Sequence, residues 1–171
     1  MYKRQDIPSV RDVEVRPDGV GYIRLTEFGR HSGDEFAREL HNLQSQGITG
    51  LVLDLRDNPG GLLAATPEVL EPLLQRGQLV TFTKGRDPDD EQRLLITGDG
   101  DVHFDGPMAV LVNHDSASAA EIVTGALQDT RRAVIVGEQT YGKGLVQSVI
   151  PLPVSYTHLD VYKRQPSTHG R

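Results

Sequence analysis

The amino-acid sequence predicts an α/β domain with a largely parallel sheet. Short apolar segments typical of strands alternate with longer segments of helical periodicity, as in parallel sheets covered by helices. The apolar segments 50–55 and 108–112 are typical of strands that are buried on both faces. Right-handed crossovers between parallel strands bring the carboxyl ends of the strands to one edge of the sheet. We therefore expect the loops at 57–61, 114–118 and 138–144 to converge there.

Each expected element has recognisable boundaries. The expected strands are 20–25, 50–55, 79–83, 108–112, 133–136 and 145–150, with a hairpin between Arg93 and Phe104. The expected helices begin at Ser32, Leu62 and Ala119 and end before Gly47, at Gln75 and at Asp129. Ser32 is predicted to cap the first helix, with Glu35 as its capping-box partner. Gly47 and Gly77 are expected to end the first two helices.

Both ends of the chain contain a repeated segment that we interpret as foreign to the protein. The segment Tyr-Lys-Arg-Gln at 2–5 recurs at 162–165 without any shared context. Residues 154–165 back-translate to a self-complementary DNA, as expected of two transposon-end sequencing adapters fused head to head. We expect translated adapter at 1–5 and 154–165, one domain or most of one at 6–153, and a tail of undetermined origin at 166–171.

The charge of the expected domain argues against two classes of partner. The chain has 18 Lys and Arg and 24 Asp and Glu. Five of the basic and one of the acidic residues lie in 1–5 and 154–171, so 13 basic and 23 acidic residues remain and the net charge is −10. Such a domain repels the phosphates of nucleic acid and of anionic membranes. No apolar segment approaches the length of a membrane span, so we expect neither partner.

The sequence gives no indication of a cofactor or a metal. Residues 137–143 match the front of a phosphate-binding loop, but position 144 is glycine and lacks the required hydroxyl. The next segment is predicted to be a strand, so no helix N-terminus would face a phosphate. The histidines, including His114, have neither the spacing of metal ligands nor that of a catalytic triad.

A serine among small residues, followed by a lysine between two glycines, is the strongest candidate for chemistry. Strand 108–112 would lead into the helix at 119, placing Ser116 or Ser118 at the helix N-terminus. Free N–H groups and the helix dipole can stabilise an oxyanion there. Either serine could instead be only the N-cap, and Glu121 fits both interpretations. Lys143 could be a base if packing desolvated it, or simply a solvated loop residue.

Three motifs together resemble those of the C-terminal processing peptidases, also called tail-specific proteases. They are LDLRDNPGG at 53–61, DSASAAE at 115–121 and GEQTYGKGLVQ at 137–147, and they stand in the order of the family. The resemblance spans most of 20–150. It implies a crotonase-like (ClpP/crotonase-type) superhelical α/β core with a mostly parallel sheet. The chain would be a truncated catalytic core without the PDZ domain that the family usually carries.

The resemblance also implies the roles of individual side chains. Ser118, rather than Ser116, matches the nucleophile of the family. Lys143 matches its general base, and Gln147 matches the glutamine that orients the lysine.

Two backbone groups and two departures from the family pattern complete this assignment. The N–H groups of Gly61 and Ala119 match the oxyanion hole. Asp115 and Ala120 stand where the family usually has glycine and serine. Neither change removes a catalytic atom, but an aspartate near the lysine could hold the lysine in its protonated form.

The function implied by the resemblance is that of a serine endopeptidase with a Ser/Lys dyad. Such an enzyme cleaves protein or peptide substrates near their C-termini, outside the cytoplasm, in the periplasm or cell envelope. We expect the chain as given to have weak activity or none. The alternative is a non-catalytic module on the same fold that binds a ligand or peptide. Retention of Ser118, Lys143 and Gln147 together favours the protease.

Overall fold

The structure is a computed structural model that describes residues 8–84, 91–98 and 103–145. Its strands are β1 (Val10–Val15), β2 (Val20–Leu25), β3 (Gly50–Asp54), β4 (Leu79–Thr83), β5 (Gln92–Leu95), β6 (Met108–Val112) and β7 (Val134–Gly137). Its helices are α1 (Ser32–Ser45), α2 (Ala65–Leu70) and α3 (Ala119–Asp129). Within the described ranges, no helix is both long enough and apolar enough to cross a membrane.

Five strands form one sheet in the order β1-β2-β3-β6-β7. Every neighbouring pair is parallel except β1 and β2, which are antiparallel. Strands β4 and β5 form a separate antiparallel pair. These pairings confirm the expected α/β class with a mostly parallel sheet.

One apolar core joins the five-stranded sheet to the helices. Strand β3 is buried along nearly its whole length, as its continuous apolar sequence predicts. The innermost side chains of the sheet and helices are fully buried, namely Ile23, Leu25, Leu53, Val110, Phe36, Leu40, Val69, Leu70, Val123 and Leu127. The core therefore fixes both β3 and α3, between which the candidate site lies.

Strand β1 was not predicted, and its irregular backbone explains the omission. Asp12 has a φ of 48°, and the register with β2 shifts between Arg11 and Glu14. An extra residue in one strand interrupts the two-residue alternation of side chains. The sequence 10–15 therefore lacks the regular period by which a strand is recognised.

The capping box predicted at the start of α1 is wrong. The Oγ atom of Ser32 accepts the N–H of Gly29 at 2.7 Å, and Ser32 lies inside the helix. The Oε2 atom of Glu35 accepts the N–H groups of Ser9 at 2.7 Å and Val10 at 3.1 Å. Both side chains are used to hold the segments that pack against the start of the helix.

Two further predictions are wrong in extent or pairing. The helix expected over 62–75 is limited to Ala65–Leu70. Pro72 has no N–H to donate and cannot continue the helical ladder. Among the described residues, β5 pairs with β4 and no strand includes Phe104, so the hairpin expected between Arg93 and Phe104 is not found there. Only Leu145 of the strand expected over 145–150 is described, and the rest of that segment lies outside the described residues.

A buried ionic cluster joins β2 to the end of β3. The Asp54 side chain is fully buried, and its Oδ2 accepts the Tyr22 hydroxyl at 2.5 Å. The Arg56 guanidinium donates to the same carboxylate, with its Nη2 atom 2.6 Å from Oδ2. Burial raises the pKa of Asp54, but the hydrogen bonds from Arg56 and Tyr22 outweigh that effect and lower it. The carboxylate therefore stays charged inside the fold.

Tyr22→Phe should lower the free energy of unfolding by about 1–3 kcal/mol, because a buried carboxylate loses one hydrogen bond. The matched control is Tyr141→Phe, since Tyr141 is 70% exposed. The control should change the free energy of unfolding by less than about 0.5 kcal/mol. Urea denaturation at pH 7 measures both values. Equal effects of the two substitutions would contradict the importance of the Tyr22–Asp54 bond.

Candidate functional site

Three loops meet at the edge of the sheet where β3, β6 and β7 end, as the sequence predicts. The N–H of Ala117 donates to the carbonyl of Asn58 at 2.9 Å, which joins the first two loops. The N–H of Tyr141 donates to the carbonyl of Ser116 at 3.0 Å, which joins the second and third. The segments that contain Gly61, Ser118 and Lys143 are thus brought together by backbone contacts.

Ser118 stands directly before α3 with a strained backbone. Its φ of 54° and ψ of −114° lie outside the regions that residues with a side chain usually occupy. Strain of this kind persists only where the surrounding structure holds it, and it concentrates at functional sites. The side chain is half-buried and lines a cavity. Ser118 is therefore placed where its hydroxyl can meet a ligand.

Ser116 has a different environment. It is fully buried, and its Oγ donates to the carbonyl of Leu55 at 2.7 Å. The same oxygen accepts the N–H of Asn113 at 3.0 Å. This hydroxyl fastens the turn after β6 to the end of β3 and faces the protein interior.

Gly60 and Gly61 lie against the turn that contains Ser118. A Cβ atom added at Gly60 would lie 2.7 Å from the Cβ of Ser118 and 2.8 Å from the nitrogen of Ala119. Gly61 has a φ of 146°, and an added Cβ would collide with the carbonyl oxygen of Phe28. Only glycine fits both positions.

The N–H groups of Gly61 and Ala119 make no hydrogen bond to any other residue in the described ranges. Both residues line a cavity of about 380 Å³ together with Ser118 and Lys143. Apolar side chains form another part of its wall, namely Leu62, Phe82, Ile122 and Leu145. The cavity thus combines two available donors, a hydroxyl and an apolar surface.

The carboxylate of Glu121 ties the loop that contains Lys143 to the turn that contains Ser118. Its Oε2 accepts the N–H groups of Ser118 and Lys143, both at 2.9 Å. Its Oε1 accepts the Thr140 hydroxyl at 2.8 Å and the N–H of Gly142 at 2.6 Å. Burial raises the pKa of Glu121, but these four hydrogen bonds together outweigh that effect and lower it.

Sequence reasoning recognised Glu121 only as a possible capping partner of Ser118. Its spacing of three residues from Ser118 predicts the bond to the Ser118 N–H. Nothing in the sequence indicates the bonds to 140–143, because they depend on how the loop after β7 returns to α3.

Lys143 is brought to the site by its backbone. Its side chain is exposed, and within the described residues that side chain forms no hydrogen bond or ion pair, including any with Ser118. Gln147 lies outside the described residues. A contact between the hydroxyl of Ser118 and the amine of Lys143 therefore remains a prediction.

The two departures from the family motif have separate environments. Asp115 is exposed, and its Oδ2 lies 3.1 Å from Nε2 of His114, whose Nδ1 lies 3.4 Å from Glu138. No ion pair joins Asp115 to Lys143 in the part of the chain that the structure describes. Ala120 is fully buried in α3. No group of three or more His, Cys, Asp or Glu side chains suited to a metal occurs among the described residues.

Glu121→Gln should lower the free energy of unfolding at pH 7 by about 1–3 kcal/mol, because an amide nitrogen replaces one of the two accepting oxygens. The pKa of Glu121 is lower in the folded than in the unfolded chain. Its contribution is thus present above the unfolded pKa and lost as the pH falls through the folded pKa. The difference from the unsubstituted chain should shrink below about pH 4.

Urea denaturation between pH 3 and pH 7 measures this difference. Glu138→Gln is the matched control, because the Glu138 side chain is 72% exposed and, among the described residues, its one ion pair is with His114. It should change the free energy of unfolding by less than about 0.5 kcal/mol throughout. A constant difference for Glu121→Gln at all pH values would contradict the role assigned to the carboxylate.

Comparison with known proteins gives one consistent family. The model of Peptidase family S41 matches residues 19–167. A carboxyl-terminal-processing protease of Synechocystis sp. is 47% identical over 140 residues, which are 81% of this chain and 32% of that protein. The chloroplastic carboxyl-terminal-processing peptidase 1 of Arabidopsis thaliana is 44% identical over 133 residues, 78% of this chain and 27% of that protein. The chain spans about a third of the length of the curated relatives it matches.

The solved structures agree with the sequence comparison. A photosystem II D1 C-terminal processing protease superimposes with a TM-score of 0.71 at 33% identity. The superposition covers 88% of this chain and 41% of that one. The motifs, the fold and both comparisons lead to one conclusion: the chain belongs to peptidase family S41, among the C-terminal processing peptidases.

Proposed function

We propose that this chain carries the catalytic core of a serine endopeptidase that cleaves protein substrates near their C-termini. Ser118 and Lys143 would form its dyad, on a crotonase-like superhelical core. The observation that carries the proposal is the cavity shared by strained Ser118, Lys143 and the N–H groups of Gly61 and Ala119, which have no partner among the described residues. Membership of family S41 supports the same reaction class.

The proposed reaction begins with the Ser118 hydroxyl. Its Oγ would attack the carbonyl carbon of the scissile peptide while the neutral amine of Lys143 takes the proton. The protonated lysine would then give that proton to the leaving amino group as the peptide bond breaks. Water would hydrolyse the resulting serine ester by the same proton transfers in reverse roles. Gln147 would hold the lysine in position.

The negative oxygen of the tetrahedral intermediate would lie between the N–H groups of Gly61 and Ala119. Both donors lack a partner within the described residues, and Ala119 is the first residue of α3. The positive end of the helix dipole favours an anion at that point. Removal of one donor of this kind typically costs about 10²–10³ in kcat.

The substrate would be a C-terminal segment of a protein or peptide. The apolar wall formed by Leu62, Phe82, Ile122 and Leu145 would receive an apolar side chain next to the cleaved bond. Relatives named for processing C-termini support this substrate class. No cofactor takes part in the proposed reaction. As the family resemblance implies, the enzyme would act outside the cytoplasm, in the periplasm or cell envelope.

In the intact parent enzyme, Ser118→Ala should abolish hydrolysis of an unstructured protein substrate and covalent labelling by a fluorophosphonate, because the attacking oxygen is removed. Ser116→Ala is the matched control and should retain most of both. It should lower the free energy of unfolding by about 1–3 kcal/mol, since two buried groups lose their partner. Gel electrophoresis follows hydrolysis, and mass spectrometry locates the label.

Labelling that survives in Ser118→Ala and disappears in Ser116→Ala would overturn the assignment of the nucleophile. Peptide binding without any labelling of the intact parent enzyme would favour the alternative, a non-catalytic binding module.

Lys143→Arg should be inactive although it keeps the positive charge, because a guanidinium does not lose its proton in proteins. Lys84→Arg is the matched control at an exposed lysine outside the cavity and should leave the rate unchanged. Gln147→Ala should lower the rate with little loss of stability, as expected of a positioning role. Initial rates with the same protein substrate measure all three. Substantial activity in Lys143→Arg would contradict the proposed base.

A further inference from the structure

Asn58 connects three separate parts of the site. Its side chain is fully buried, and its Nδ2 donates to the carbonyl of Leu25 at 2.8 Å. Its Oδ1 accepts the N–H of Gly60 at 2.8 Å. Its backbone carbonyl accepts the N–H of Ala117 at 2.9 Å. One residue therefore holds the end of β2, the glycine pair and the turn before Ser118.

Only a side chain with a donor and an acceptor can make both bonds of the Asn58 amide. The carbonyl of Leu25 requires a donor, and the N–H of Gly60 requires an acceptor. Two backbone hydrogen bonds attach the glycine pair to the segment at Phe28. The N–H of Phe28 donates to the carbonyl of Gly60 at 2.9 Å, and the N–H of Leu62 donates to the carbonyl of Phe28 at 2.7 Å. On the side that faces Asn58, the glycine pair is held by the Asn58 amide.

The bonds of Asn58 also determine which N–H groups remain available. Gly60 and Ala117 donate to Asn58, and Ser118 donates to Glu121. In segments 60–61 and 117–119, the N–H groups left without a partner among the described residues are those of Gly61 and Ala119. Asn58 thus accepts hydrogen bonds from two of the three neighbouring N–H groups, and the N–H groups of Gly61 and Ala119 stay available to a ligand.

We propose that Asn58 is a positioning residue that sets the location and direction of the Gly61 and Ala119 N–H groups toward the substrate oxygen. This inference rests on the proposed function, because it assigns those two groups to the oxyanion. Asn58 itself does not contact the reacting atoms. Its loss should slow the chemical step and leave the initial binding of substrate largely unchanged.

The labelling test uses the substitution Asn58→Ala in the intact parent enzyme, because the chain as given is expected to have weak activity or none. A fluorophosphonate serves as the probe, because its phosphoryl oxygen occupies the position of the oxyanion. The labelling rate, measured over a range of probe concentrations, separates the maximal rate from the binding constant. We expect Asn58→Ala to lower the maximal rate by at least about tenfold and to leave the binding constant within about twofold.

Two further variants separate positioning from loss of stability. Tyr22→Phe removes another buried hydrogen bond, to Asp54, away from the glycine pair. It should lower Tm while leaving the labelling rate unchanged. Asn58→Ser keeps a small polar group that can satisfy one of the two partners. It should give a smaller loss than Asn58→Ala, and it serves as the test variant if the alanine protein does not fold.

Amide resonances give a readout that does not depend on reactivity. In ¹⁵N-labelled protein, the signals of Gly61 and Ala119 should shift in the Asn58 variants and stay in place in Tyr22→Phe. Unchanged signals, or a rate loss equal to that of Tyr22→Phe at the same Tm, would overturn the proposal for Asn58. Shifted signals in the Asn58 variants, together with an intact parent enzyme that is never labelled, would support the structural role of Asn58 and overturn the proposed protease.

Discussion

The site depends on the parallel pairing of β3 with β6. Leu53 lies opposite Val110 and Asp54 opposite Leu111, so the two strands end at the same level. The N–H of Leu55 continues this ladder by donating to the carbonyl of Leu111 at 2.9 Å. The loop at 57–61 and the turn at 114–118 therefore leave the sheet side by side. A shift of the register by one residue would separate them and would place the side chains of one strand on the opposite face of the sheet.

The sequence was sufficient to predict features that depend on local pattern. The run 108–112 followed by small residues predicts a strand, a turn and a helix, and α3 spans Ala119–Asp129 as expected. The motif assigns the nucleophile to Ser118 rather than Ser116, and this assignment stays a prediction; the structure shows only that Ser116 is fully buried. The convergence of the three loops followed from the handedness of parallel connections.

Features that depend on contacts between distant segments could not be predicted. Ser32 and Glu35 match a capping box, but their side chains bond to Gly29 and Ser9 because those segments pack against α1. Glu121 has an ordinary position in a first helical turn, and only the folded chain brings 140–143 to its carboxylate.

The shared carboxylate of Glu121 makes the two halves of the site thermodynamically linked. Its Oε2 holds the backbone of Ser118 and of Lys143 at once, so displacement of one segment removes an interaction that restrains the other. Linkage of this kind is reciprocal. A ligand that orders the loop at 140–143 therefore stabilises the turn at Ser118. A ligand at Ser118 favours the ordered loop by the same coupling free energy.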